Sequence, residues 1–66
     1  MNKELLKSII ILNKDTQGDL ANYLGTTAGT LSFKMTGKTD FSRQEIKMIK
    51  DRYNLTAEQI NEIFFS

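Results

Sequence analysis

An all-α domain of five short helices is the fold class that this 66-residue sequence predicts, and three observations lead to it. Two capping signatures, Ser42 with Glu45 and Thr56 with Gln59, stand 14 residues apart, and each opens an apolar stripe at helical spacing. Two pairs of apolar residues four apart, Leu20 with Leu24 and Leu31 with Met35, lie on either side of Gly25, the residue type suited to a left-handed helix end. The apolar block Ile9-Ile10-Ile11-Leu12 has no second strand with which to pair, so its strand reading yields to a helical one.

The first helix is expected from about Lys3 to Asn13. Leu5, Ile9 and Leu12 recur at helical spacing, and Leu6 and Ile10 widen the stripe, leaving Lys7 and Ser8 outside and Ile11 half exposed. After the polar connection Asn13-Lys14-Asp15, Thr16 can cap a helix over about 17 to 24 that stops at Gly25. Thr27 can then cap another over about 28 to 35 that stops at Gly37. Helices of this length do not stand alone, so the two must cross, with Ala21 as the small residue that lets a second backbone approach. Gly29 and Thr30 lower the intrinsic helicity of the second one.

Thr36-Gly37-Lys38-Thr39-Asp40 is a loop by composition, and Ser42 opens the fourth helix with Phe41 placed to staple against Ile46. Ile46, Ile49 and Tyr53 run down one face of it, with Lys47, Lys50 and Asp51 outward. Asn54 ends it, and Thr56 opens the fifth, with Leu55 and Ile60 as its staple. Ile60, Ile63 and Phe64 lie on one side of that last helix, Glu58 and Glu62 opposite, and it ends in Phe65-Ser66.

The order Ala21, Gly25, Leu31, with Gln17 opening the first of the paired helices and the phrases Leu-Gly-Thr-Thr and Thr-Gly-Lys at the turn and the end of the second, resembles the helix-turn-helix of the phage Cro and lambda-repressor family. The resemblance is strongest from Thr16 to Lys38 and, with the flanking helices, covers the chain as one domain. It implies a compact five-helix lambda-repressor-like DNA-binding domain with the helix-turn-helix as helices 2 and 3. One position departs from the family pattern. Where relatives keep an apolar residue one turn after Leu31, this chain has Lys34, so Met35 must carry that packing and the helix end is expected to rotate or fray.

What the resemblance implies about function is sequence-specific binding of double-stranded DNA by a small cytoplasmic transcriptional regulator, of the repressor type found in phages and mobile elements. The helix at about 28 to 35 would lie in the major groove and put Thr27, Ala28, Gly29, Ser32 and Phe33 nearest the bases. Ala28 and Gly29 stand where relatives often carry hydrogen-bonding side chains. Bidentate readout is absent there, and Ala28 can offer only apolar contact to a thymine methyl. Two readings of Phe33 stand side by side: an outward aromatic against thymine methyls, or a ring leaning on helix 4 to complete a small core. Gln17, Thr36, Lys38, Thr39 and Arg43 are the expected phosphate contacts. Ile63, Phe64 and Phe65 are expected to form a weak homodimer through helix 5, tighter on DNA; the other reading has them closing the monomer core or Phe65 as a frayed end.

Composition narrows the alternatives. The net charge is +1, but residues 34 to 52 carry six Lys or Arg against Asp40, Glu45 and Asp51, directly behind the suspected recognition helix. With no cysteine and no histidine, disulfides, the usual zinc sites and Ser-His-Asp or Cys-His nucleophiles are excluded, so no catalytic or metal site, no cofactor and no small-molecule ligand is expected. No signal-peptide pattern and no long apolar run points to a membrane. The competing reading, from another class, is a protein-protein interaction module such as an antitoxin or anti-repressor on the same fold, suggested by the non-polar Ala28, Gly29 and Phe33 and the low net charge.

Overall fold

The computed structural model describes residues 1–65, and among them every regular element is a helix: α1 (Lys3–Leu12), α2 (Gln17–Leu24), α3 (Ala28–Met35), α4 (Arg43–Tyr53) and α5 (Ala57–Phe64). Ser66, which the sequence reading placed at the end of the last helix, lies outside the described residues; Phe65 is already the C-cap.

Local chemistry sets most of the boundaries. The Ser42/Glu45 and Thr56/Gln59 boxes are closed in both directions, side chain to backbone and back. A third box joins Thr16 to Asp19: the Asp19 N–H donates to Thr16 Oγ1 at 3.0 Å and the Thr16 N–H to Asp19 Oδ2 at 3.2 Å. Asn2 caps α1 by accepting from the Leu5 N–H, and its own N–H donates to the carbonyl of Ile63 at 2.7 Å, tying the start of the chain to α5. At the other ends, Gly25 (φ 77°) and Asn54 (φ 52°) take the left-handed conformation that stops α2 and α4.

Each helix delivers one completely buried aliphatic side chain to a common centre: Leu6, Leu20, Leu31, Ile49 and Ile63. Ile9, Ile10, Ala21, Met35, Tyr53 and Leu55 fill the space around them, and Leu5, Leu24, Phe41, Ile60 and Phe64 close the rim. Burial of each central side chain contributes about 1.5–3 kcal/mol, which is what holds together helices too short to persist alone.

The expectation for α1 needs correcting. Leu12, expected in the buried stripe, is 80% exposed and does not belong to the core, while Ile11, expected half exposed, is 72% exposed. The buried stripe is centred on Leu6, Ile9 and Ile10. At 100° per residue Leu12 falls about 110° round from that centre, and Ile11 falls almost opposite it. No helix is long and apolar enough to cross a membrane among the described residues.

Candidate functional site

α2 and α3 are joined by a turn whose every residue has a local task. The Thr26 N–H donates to the carbonyl of Ala21 at 2.9 Å and the Gly25 N–H to that of Asn22 at 3.1 Å, closing α2. Thr27 is extended, and its Oγ1 accepts from the Thr30 N–H at 3.2 Å and donates to the Thr30 hydroxyl at 3.0 Å. Leu31 and Met35 then turn α3 into the core, Met35 being only 3% exposed.

The remaining α3 side chains are set by that choice. Measured from the mean direction of Leu31 and Met35, Phe33 lies about 180° away and Gly29 about 140°. Phe33 is accordingly 53% exposed, so it does not lean into the core against α4. Its ring is partly covered by Lys38, whose Nζ sits 5.2 Å from the centroid, a cation–π contact. Lys38 reaches that position because Gly37, at φ 86°, reverses the chain, and because the Lys38 N–H donates to the Phe33 carbonyl at 3.0 Å. The Thr36 hydroxyl donates to the same carbonyl at 3.0 Å.

Lys34, the departure from the expected apolar residue, does not fray the helix. Its ammonium reaches across to α4 and donates to both carboxylate oxygens of Glu45, at 2.7 and 2.6 Å, with side chains only 18% and 14% exposed. Glu45 is also the acceptor of the Ser42 N–H at 2.9 Å, so one carboxylate both starts α4 and holds α3. Burial pushes the Glu45 carboxyl up, but the Lys34 ammonium and the Ser42 N–H together outweigh it, and its pKa ends below the ordinary 4.5.

A second cation of the 34–52 stretch is also committed. Arg52 donates from Nε and Nη2 to the two oxygens of Asp15, at 2.8 and 3.0 Å, in a bidentate pair. The Tyr53 hydroxyl donates to Asp15 Oδ2 at 2.6 Å, and the guanidinium stacks 4.7 Å over Tyr23. The Arg52 guanidinium and then the Tyr53 hydroxyl hold the Asp15 carboxyl well below the usual carboxylate range. Burial, followed by the Asp15 bond and charge, pushes the Tyr53 phenol well above its ordinary value. This network pins the α1–α2 connection to the end of α4.

Of the residues expected at bases, Thr27, Ala28, Gly29, Ser32 and Phe33 are all exposed along α3 and its cap, and Thr36, Lys38 and Thr39 follow in the exposed loop. Gln17 is half-buried at the first position of α2. Arg43 is exposed but stands apart: on the α4 wheel it lies about 160° from Glu45, which faces α3, and shares its stripe with Lys47 and Lys50. Ile63 is completely buried and has no surface to give a partner, so it is a core residue and not a dimer contact. Phe64 is half-buried, edge-on to Phe41 with centroids 5.2 Å apart, and Phe65 is 67% exposed. Phe41, Ile46, Phe64 and Phe65 share one cleft.

Sequence reasoning missed the two ion pairs and one simpler feature. Lys34 at a position one turn from a core leucine was the signal that a buried-side cation needed an acid. The simpler feature is that residues 20 to 39 contain no Asp or Glu while carrying Lys34 and Lys38. From Leu20 through the end of α3 the chain therefore carries none of the charge that repels phosphate, the one acid of α2 being Asp19 in its first turn. No cluster of potential metal ligands occurs among the described residues. Compared with known protein families, curated proteins and solved structures, the chain matches none.

Proposed function

We propose that the protein binds double-stranded DNA sequence-specifically, as a small transcriptional repressor of lambda-repressor-like helix-turn-helix type acting in the cytoplasm, with α3 entering the major groove. One observation carries the reading. The face of α3 turned away from the core is exposed, lies in a stretch without acidic residues, and is followed at once by Lys38. In that reading Thr27, Ala28, Gly29, Ser32 and Phe33 meet the base edges, while Gln17, Thr36, Lys38 and Thr39 position the duplex; Arg43 reaches phosphate only if the backbone passes the N-terminus of α4. Two copies would pair weakly through the exposed Phe65 and the rim of Phe64, and more tightly on adjacent half-sites about 34 Å apart.

The half-exposed Phe33 and a net charge of only +1 favour one competitor, a protein-binding module on the same fold. Selection from a pool of random duplexes at moderate salt separates the two. A DNA reader enriches an inverted repeat and loses affinity with salt, log K falling by about 0.9 per phosphate contact for each tenfold rise in salt. No enrichment at any salt concentration refutes the DNA reading and moves the weight to a protein partner.

A further inference from the structure

Gly29 is not explained by the folded monomer. It is the second residue of an eight-residue helix, in the first turn, where glycine costs up to the ~1 kcal/mol relative to alanine that it costs in a helix interior. It has no positive φ to justify that cost, and a Cβ added there meets nothing nearer than Thr27 Oγ1 at 4.0 Å. Gly25 and Gly37, by contrast, both hold left-handed turns, and Gly18, as free of constraint as Gly29, lies in the first turn of α2 rather than on the outward line of α3. The missing side chain leaves room at an exposed place for a group outside the chain to come close to the α3 backbone. One helical turn later on the same outward line stands Phe33, 53% exposed, with Lys38 on its ring.

We infer that Gly29 and Phe33 form a notch bounded by an aromatic wall that takes the 5-methyl group of thymine. Lys38, on the Phe33 ring, carries the positive charge toward the phosphate backbone alongside. The chemistry fits one occupant. In the major groove the thymine methyl is the apolar group that a base edge offers, and this surface has no side chain able to make a bidentate bond to adenine or guanine. The acid-free surroundings and Lys38 suit a polyanion rather than a neutral apolar peptide. This inference rests on the DNA-binding reading above and specifies what that surface selects.

The test uses the full chain and two pools of random duplexes, one built with thymidine and one with deoxyuridine, which differ only in the 5-methyl group. The protein is expected to favour the thymidine pool by about four-fold for each methyl it covers. Phe33→Ala should abolish that preference. Gly29→Ala should abolish it too while raising the melting temperature by up to about 4–8 °C, because it fills the notch and removes the helix penalty together. A melting curve for each variant keeps loss of fold apart from loss of recognition. Equal, steeply salt-dependent binding to both pools by the parent protein overturns the notch and leaves the DNA reading standing. Binding to neither pool overturns both. A Gly29→Ala protein that keeps the full preference for thymidine also overturns the notch.

Discussion

Replacing Tyr53 by phenylalanine isolates one bond in the network that fastens the α1–α2 connection to α4. The ring stays, and at 7% exposure its packing is preserved; only the hydroxyl that donates to Asp15 at 2.6 Å is lost. A hydrogen bond to a charged acceptor is worth about 1.5–3 kcal/mol net. Asp15 keeps both bonds from Arg52 and its side chain retains 11% exposure, so the low end applies, about 1.5 kcal/mol. For a domain of this size that lowers the melting temperature by roughly 6–12 °C. The stability that Asp15 itself confers depends on pH with a definite sign. The folded pKa of Asp15 lies below its ordinary 3.8, so its contribution is complete above about pH 4 and is lost as the pH falls from there toward the folded value. Thermal melts of parent and Tyr53→Phe at pH 7 and at pH 3 should therefore show both proteins losing stability in acid while the gap between them persists, because Arg52 keeps the folded Asp15 carboxylate ionised at both pH values. Melting temperatures that coincide at pH 7, or a gap that closes by pH 3, would refute the assignment of an ionised Asp15 carboxylate as the acceptor that matters.

Three other substitutions test the remaining supports. Glu45→Gln keeps an oxygen for the Ser42 N–H but removes the charge facing Lys34, so chemical denaturation should show a loss of about 1–2 kcal/mol. Leu12→Ala and Leu31→Ala, alike on paper, should differ sharply in the same assay: Leu12, 80% exposed, should change stability by under about 0.5 kcal/mol, while the fully buried Leu31 should cost about 2–5 kcal/mol.

The contrast between those two leucines also marks how far the sequence is legible. The limits of α2 and α3 are readable because they are decided within four residues: Thr16 and Thr27 cap, Gly25 turns left-handed, and no distant partner is needed. Which face of α1 is buried depends on where the other helices stand. Ile9, Ile11 and Leu12 are chemically equivalent there, and Leu12 comes out on the wrong side. The ion pairs are less legible still. Lys34 to Glu45 spans 11 positions and Arg52 to Asp15 spans 37, so pairing them requires the fold. Phe33 was open between core and surface for the same reason.

α3 is a weak helix held in place by its neighbours. Gly29 and Thr30 disfavour it, and eight residues are too few for it to form alone. Its position is fixed from three directions: Thr27 and Gly25 at the start, Leu31 and Met35 underneath, and the Lys34–Glu45 pair against α4. None of these anchors uses the outward line of Gly29 and Phe33. That line can change without unmaking the fold, and the fold can hold it steady at residues chosen for what they meet rather than for helix stability. A surface arranged in this way suits recognition, because the energy that orders it is supplied by residues that a ligand on that line need not touch.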